Sequence, residues 1–163
     1  MNTIPPFFYR VQHDRSYTIF DPQTGFESNG HYSMPYSFWL NKGKVESHSD
    51  WQARPIQPTP FISVFDDRAK ADERLKHHRC QSDTGIILAT IDTSSLSPTI
   101  IDIYFANNTT VRLSAWENNE GTTFVSTQAF REHLRVQTSI SQASEWFALD
   151  CMPLNMICQI EAY

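Results

Sequence analysis

The sequence FISVFDDRAKADERLKHHR, residues 61–79, decides how this chain folds. Its first five residues are mostly aromatic or β-branched, which is typical of a short buried strand. The acidic residues that follow, and the basic residues that close the segment, suit the two ends of a helix because of the helix dipole. We expect Ser63 or Asp66 to cap this helix. The segment therefore predicts a strand that leads directly into a helix.

Strand patterns recur on both sides of this segment. The predicted strands cover residues 7–11, 61–65, 85–91, 99–105, 109–113, 145–149 and 155–160. A second helix is predicted over residues 127–136, where Phe130 and Leu134 have i, i+4 spacing. Since strands outnumber helices and the helices fall irregularly between them, we predict an α+β fold. It consists of bent mixed β-sheets flanked by two or more helices.

Residues 14–60 are dense in proline and glycine, which excludes long regular elements there. One short helix or strand is expected at residues 37–40. Five aromatic residues between positions 32 and 51 need burial. We therefore predict a long ordered loop region rather than a disordered one.

The composition limits the class of protein. A length of 163 residues suits a single domain, and we assign residues 1–163 to one domain. With 40% apolar and 19% charged residues, the chain is neither disordered nor a coiled coil. A net charge of −5 argues against a general binder of nucleic acids or anionic membranes. No apolar run approaches the roughly 18 residues of a membrane span, so we expect no membrane partner, and we expect a monomer.

The three cysteines, at positions 80, 151 and 158, are an odd and widely spaced set. This is a poor disulfide framework and favours a reducing compartment. The opening residues, MNTIPP, have neither a basic region nor a long apolar run of the kind found in signal peptides. We therefore expect a cytoplasmic protein.

Four segments follow one another in an order that resembles a known family. They are Tyr9-Arg10, GFESNGH at 25–31, TPFIS at 59–63 and EWFALDCMP at 145–153. In this order they resemble the ADP-ribosyltransferase toxins, in the branch of cholera toxin and heat-labile enterotoxin. The chain is also similar to an uncharacterised group of fungal domains that open with YRVQH and carry TPFIS. The resemblance extends from about Phe7 to Ile160.

The resemblance to the toxins implies an enzyme that uses NAD⁺. Arg10, His31 and Glu145 fall on the family's arginine, histidine and catalytic glutamate. The expected activity is that of a mono-ADP-ribosyltransferase or an NAD glycohydrolase, which cleaves the nicotinamide–ribose bond through an oxocarbenium-like state. Glu145 would stabilise the positive charge on the ribose. Arg10 would hold ribose or phosphate oxygens with its planar guanidinium.

The same resemblance implies a set of NAD-binding side chains. The imidazole would contact the adenosine-side ribose or orient the arginine, and hydroxyl groups on the middle strand would orient the arginine and glutamate. Aromatic rings would stack on nicotinamide or adenine. The implied set is Arg10, His31, Thr59, Phe61, Ser63 and Phe65.

The sequence also departs from the family pattern. Ala143 replaces the first acid of the Glu-x-Glu motif, so we do not expect arginine as the acceptor, which leaves another protein group, a nucleic acid or water. The family's Ser-Thr-Ser is Thr-Pro-Phe at 59–61. Two alternatives therefore stay open. One is a catalytically inactive domain of the same fold that binds a protein or a nucleotide, and the other is an unrelated α+β interaction domain.

The sequence HHRC at 77–80 brings three potential metal ligands together. Adjacent histidines on a helix point about 100° apart, so they rarely bind one metal ion. We interpret this segment as a solvated helix end, and we predict no metal site.

Overall fold

The computed structural model describes residues 3–28, 36–49, 59–137 and 143–163. In these ranges there are eleven strands, four α-helices and one 3-10 turn at Leu154–Met156. The strands are β1 (Phe7–Gln12), β2 (Ile19–Asp21), β3 (Gly25–Glu27), β4 (Phe61–Phe65), β5 (Ile87–Asp92), β6 (Ser97–Tyr104), β7 (Thr110–Glu117), β8 (Thr123–Ser126), β9 (Glu145–Leu149), β10 (Cys151–Pro153) and β11 (Ile157–Ala162). The helices are α1 (Tyr36–Trp39), α2 (Lys42–Ser49), α3 (Arg68–Cys80) and α4 (Thr127–Leu134).

The strands form two sheets. The larger has eight strands in the order β11-β5-β1-β4-β9-β8-β7-β6, and the smaller has three in the order β10-β3-β2. Every pairing in the described part of the chain is antiparallel. The predicted α+β class, with sheets flanked by helices, is confirmed.

The predicted strand and helix at residues 61–79 are present as β4 and α3. The helix cap is not one of the two residues expected from the sequence. The side chain of Asp67 caps α3, because its Oδ1 accepts a hydrogen bond of 2.8 Å from the backbone N–H of Ala69. The carboxylate of Asp66 accepts a hydrogen bond from the indole of Trp146 (3.0 Å), and the hydroxyl of Ser63 pairs with His48. Both expected capping groups are therefore engaged elsewhere.

The region at residues 14–60 contains more regular structure than the sequence suggested. The expected short element at 37–40 is α1, while β2, β3 and α2 were not predicted. Met152 of β10 lies opposite Phe26 of β3, so this small sheet joins the region to the C-terminal part of the chain. Residues 29–35 and 50–58 lie outside the described residues.

The two faces of β4 and β9 pack against different parts of the core. Phe61 and Phe147 belong to one buried cluster, whereas Ile62 and Val64 belong to a second cluster on the opposite face. Phe65 lies in a third cluster, beneath α3. The alternation places Ser63, the polar residue of β4, on the face shared by Phe61 and Phe65.

The three cysteines are exposed and free, so the described residues contain no disulfide bond. The odd cysteine count had predicted a poor disulfide framework. Among the described helices, none has the length and apolar character needed to cross a membrane.

Candidate functional site

A cavity opens where β1 and β4 separate. These strands pair at one position only, Tyr9 opposite Phe65, although both strands continue beyond it. Past this pair, Nη1 of Arg10 donates a hydrogen bond of 3.0 Å to the backbone carbonyl of Ser63. A side-chain hydrogen bond thus connects the two strands beyond the point where their backbone pairing ends. The resulting cavity has a volume of about 390 Å³, within the range of sites that bind small molecules.

Three neighbouring strands each contribute a polar side chain to this cavity. Arg10 lies on β1, Ser63 on β4 and Glu145 on β9, and all three line the cavity. The β4–β9 register places Phe65 opposite Glu145. The fold therefore brings residues from the start, middle and end of the chain to one place.

The guanidinium of Arg10 is held by several protein groups. Its Nε and Nη2 donate hydrogen bonds of 3.2 and 2.8 Å to Oε1 of Gln12, in addition to the bond from Nη1 to Ser63. Gln12 is itself buried and donates to the carbonyl of Thr18. The pKa of Arg10 is lowered to about 9, chiefly by burial and to a lesser extent by the charge of Arg74, while the charge of Glu145 acts in the opposite direction. Arg10 is therefore a positioned cation at neutral pH.

Glu145 is a buried carboxylate with an exposed fraction of 1%. Its backbone carbonyl accepts a hydrogen bond of 2.8 Å from the hydroxyl of Thr127, which fixes the start of β9. Its charge raises the pKa of both Arg10 and Arg74, although burial lowers each more strongly. Two guanidiniums thus offset the cost of burying one carboxylate.

A further polar group at the cavity is the imidazole of His48, which the sequence analysis did not identify. Its Nδ1 lies 2.6 Å from the hydroxyl of Thr59, and its Nε2 lies 3.0 Å from the hydroxyl of Ser63. The ring packs edge-on against Phe61 and Phe147. The pKa of His48 is lowered to about 3, chiefly by burial and to a lesser extent by the charges of Arg10 and Arg74. The imidazole is therefore neutral at pH 7 and links two hydroxyl groups.

The charges around the cavity are mainly positive. The ionisable residues that line it are three arginines, four histidines and two carboxylates: Arg10, Arg15, Arg74, His13, His48, His77, His78, Asp83 and Glu145. This contrasts with the net charge of −5 for the whole chain. The charged side chains of the lining are three arginines and two carboxylates, and this excess of positive charge in a concave site favours an anionic ligand.

Six of the seven predicted site residues line this cavity: Arg10, Thr59, Phe61, Ser63, Phe65 and Glu145. The seventh, His31, lies outside the described residues. The rings of Phe61 and Phe65 are only 2% and 3% exposed, which leaves little ring surface for a ligand. The hydroxyls of Thr59 and Ser63 pair with His48, whereas Arg10 is held by the Ser63 carbonyl.

Helix α3 supplies residues that the sequence analysis missed. Arg74, His77, His78 and Gln81 all reach the cavity from this helix or its cap. Arg74 and Gln81 each lie three or four residues from both histidines, and this spacing is the signal that could have placed them beside the histidines on the helix surface. His48 carried no comparable signal, because its partners are 11 and 15 residues away in a loop-rich region.

The chain belongs to the family described as a domain of unknown function, DUF7587, whose model matches residues 3–159. The match includes all the cavity residues described above. This membership is consistent with the similarity to an uncharacterised domain family that was expected from the sequence. Comparison with curated proteins and with solved structures gave no match. The family description carries no activity, so the function must be inferred from the site.

Proposed function

We propose that this protein cleaves the nicotinamide–ribose bond of NAD⁺, as a mono-ADP-ribosyltransferase or an NAD glycohydrolase. The observation that carries the proposal is the convergence of Arg10, Ser63 and Glu145, from three neighbouring strands, on one cavity. The order of sequence segments that resembles the toxin family supports the same activity.

The proposed reaction places specific demands on Glu145. When the bond between ribose C1′ and the nicotinamide nitrogen breaks, nicotinamide leaves with the electron pair and positive charge develops on the ribose. A fixed carboxylate, held in a site with little water, stabilises that charge strongly. Glu145 is buried and anchored at the start of β9, which meets this requirement. The acceptor then adds to C1′ and loses its proton to solvent.

The cationic lining suits the two phosphates of NAD⁺. Arg10 and Arg74 bring guanidiniums to the same cavity as Glu145, and planar guanidiniums bind phosphate and ribose oxygens. The cavity also contains two uncharged hydrogen-bonding groups, the neutral imidazole of His48 and the hydroxyl of Ser63, which pair with each other. The site therefore combines anion binding with one carboxylate for the reacting ribose.

The residue two positions before Glu145 limits which acceptors the site can activate. Ala143 is exposed, two positions before Glu145, where the resembling family carries a second acid. Without that acid, no side chain at this position can activate an arginine of a target. We therefore propose water, another protein group or a nucleic acid as the acceptor.

A second function is a catalytically inactive domain that binds a nucleotide or a protein through the same cavity. The observation that favours it is the set of bonds made by Arg10. Its Nε, Nη1 and Nη2 already donate to Gln12 and Ser63, which is the pattern of a structural arginine. This candidate uses the same cavity as the first but does not turn over NAD⁺.

Nicotinamide release from NAD⁺ tests the proposal. The wild-type chain is incubated with NAD⁺ alone and with candidate acceptors, beside the variant Glu145→Gln, which removes the charge and keeps the shape. We expect the variant to lose about 10²-fold or more of the rate. Glu117→Gln is the matched control, because Glu117 is exposed on β7 and does not line the cavity.

The outcomes separate the two functions. If no nicotinamide is released under any condition and NAD⁺ gives no thermal shift, the enzymatic proposal is wrong. A thermal shift without release identifies the inactive binding domain. Release that is equally fast in Glu145→Gln removes Glu145 from the mechanism.

A further inference from the structure

One side of the cavity carries two histidines and a carboxylate in close contact. His13 follows β1, His78 lies in the last turns of α3, and Asp83 lies in the loop after α3. Oδ2 of Asp83 is 2.8 Å from Nδ1 of His78 and 3.9 Å from Nδ1 of His13. One ligand atom from each residue lies within 4.8 Å of the others.

We propose that His13, His78 and Asp83 form a binding site for a divalent transition-metal ion, with Zn²⁺ as the best match. Two imidazoles and one carboxylate are a common ligand set for zinc sites that keep an open position. The proposal goes beyond the cleavage of NAD⁺, because none of the three residues has a part in that reaction as proposed above.

The three ligand atoms need only small movements to bind the ion. Tetrahedral coordination at about 2.0–2.1 Å places ligand atoms about 3.3 Å apart. The separation between Asp83 and His78 is shorter than this value, and that between Asp83 and His13 is longer. On binding, neutral His78 moves its proton from Nδ1 to Nε2, so Nδ1 is free to ligate. Binding through Nδ1 of His13 also displaces the hydrogen bond of 3.3 Å that this nitrogen accepts from the backbone N–H of Arg15.

The backbone around the site is already ordered. The N–H of Asp83 donates to the carbonyl of His78 (3.1 Å), and the N–H of Asp14 donates to the carbonyl of Thr84 (3.0 Å). The rings of His13 and His78 are in contact, with centroids 4.2 Å apart and planes tilted by 38°. Burial lowers the pKa of both histidines, to about 4 for His78, so both are neutral at pH 7 as a metal requires.

The neighbouring positive charges lower the affinity of the site for a metal ion. The guanidinium of Arg15 binds Oδ1 of Asp83, the oxygen that does not face the histidines. Arg10 and Arg74 also lie close enough to lower the pKa of His13, so they repel a cation as well. Because Arg15 is exposed on the rim and its charge opposes the ion, Arg15→Gln should bind the metal more tightly than the wild type.

Titration of metal-free protein with Co²⁺, followed by visible absorption, and with Zn²⁺, followed by calorimetry, tests the site at pH 7. We expect one ion per chain and a Co²⁺ spectrum typical of a low-symmetry site. His13→Gln, His78→Gln and Asp83→Asn should each weaken binding by at least about tenfold. Cys80→Ser is the matched control, because it removes a potential ligand near His78 and keeps all three proposed ligands; His77→Gln is a second control, which also removes the edge-on contact of its ring with His78.

Several results would overturn the proposal. These are the absence of Co²⁺ absorption and of Zn²⁺ heat in the wild type, binding that persists unchanged in His13→Gln and Asp83→Asn, or binding that is lost in the two controls. Circular dichroism verifies that each variant folds. His78 is buried, so if its variant unfolds, His13→Gln and Asp83→Asn decide the question. The readouts are independent of NAD⁺, so the failure of one proposal does not affect the other.

Discussion

Ser63 shows how one residue can organise a site through two different groups. Its backbone carbonyl accepts from Arg10, and its hydroxyl pairs with His48. A substitution at position 63 therefore removes the contact with His48 but leaves the acceptor for Arg10 in place. The position of Arg10 thus depends on the path of β4 and does not require a hydroxyl-bearing side chain. This explains how Arg10 is positioned although residues 59–61 are Thr-Pro-Phe.

Thr59 provides the first prediction at this scale. Its hydroxyl makes a bond of 2.6 Å with Nδ1 of His48, and Thr59 is buried. In Thr59→Val the shape is kept and the hydroxyl is lost, so a buried ring nitrogen loses its partner. We expect the free energy of unfolding to fall by about 1–3 kcal/mol, measured by urea denaturation.

The control for this prediction is Thr59→Ser, which keeps the hydroxyl and removes one methyl group. It should retain most of the stability of the wild type. If the valine variant is as stable as the serine variant, the bond to His48 contributes nothing measurable.

Single residues of the site differ in how far the sequence predicts them. Arg10 and Glu145 were predicted because each lies in one of the four short segments whose order along the chain resembles the toxin family. Both line the cavity. His48 was not found, because its contacts form only when α2 packs beside β4. A histidine in a polar segment has no local signal for such a contact. The structure therefore adds the partner that links the two hydroxyls.

At the scale of elements, the sequence predicts the strands and helices that have strong local patterns. It does not predict the three-residue strands. β4 and α3 follow from a run of aromatic and β-branched residues and from the charges at the helix ends. β2, β3 and β10 have three residues each, too few for a periodic signal. They exist because distant segments pair, as Cys151 does with Glu27. A local sequence pattern does not specify the distant partner of such a short strand.

The cap of α3 provides a prediction at the element scale. Asp67 adopts an extended backbone conformation, and its side chain accepts from the N–H of Ala69. Asp67→Ala leaves that N–H without a side-chain partner at the start of the helix. We expect the free energy of unfolding to fall by about 1 kcal/mol, seen as a lower urea midpoint with an unchanged m-value.

Asp67→Asn is the matched control, since asparagine is also a good N-cap and keeps an acceptor oxygen. It should lie closer to the wild type than Asp67→Ala does. An alanine variant as stable as the wild type would show that the bond to Ala69 is not needed.

At the scale of the whole molecule, the distribution of charge is more informative than its sum. The net charge of −5 argued against a general binder of nucleic acids or anionic membranes, yet the cavity is lined by three arginines. These arginines come from β1, from the segment after it and from α3. The three arginines are therefore separated along the sequence, and only the folded chain brings them to one cavity.

The same cationic surroundings make the stability of the molecule depend on pH through His48. This ring is packed among Phe61 and Phe147, and the charges that act on it are those of Arg10 and Arg74. Burial, more than these charges, lowers its pKa from 6.5 to about 3 in the folded state. Between these values the unfolded chain takes up a proton that the folded chain does not. Stability is therefore lost as the pH falls below about 6.5, at up to about 1.4 kcal/mol per pH unit.

A comparison of the wild type with His48→Asn isolates this effect from the titration of other groups. The difference in free energy of unfolding between the two proteins should fall by about 2 kcal/mol from pH 7 to pH 5, in favour of the variant. Urea denaturation at several pH values measures it. His133→Asn, at an exposed position on α4, is the control and should follow the wild type. If the wild type and His48→Asn lose stability in parallel as the pH falls, the ring of His48 takes up its proton equally well in the folded chain.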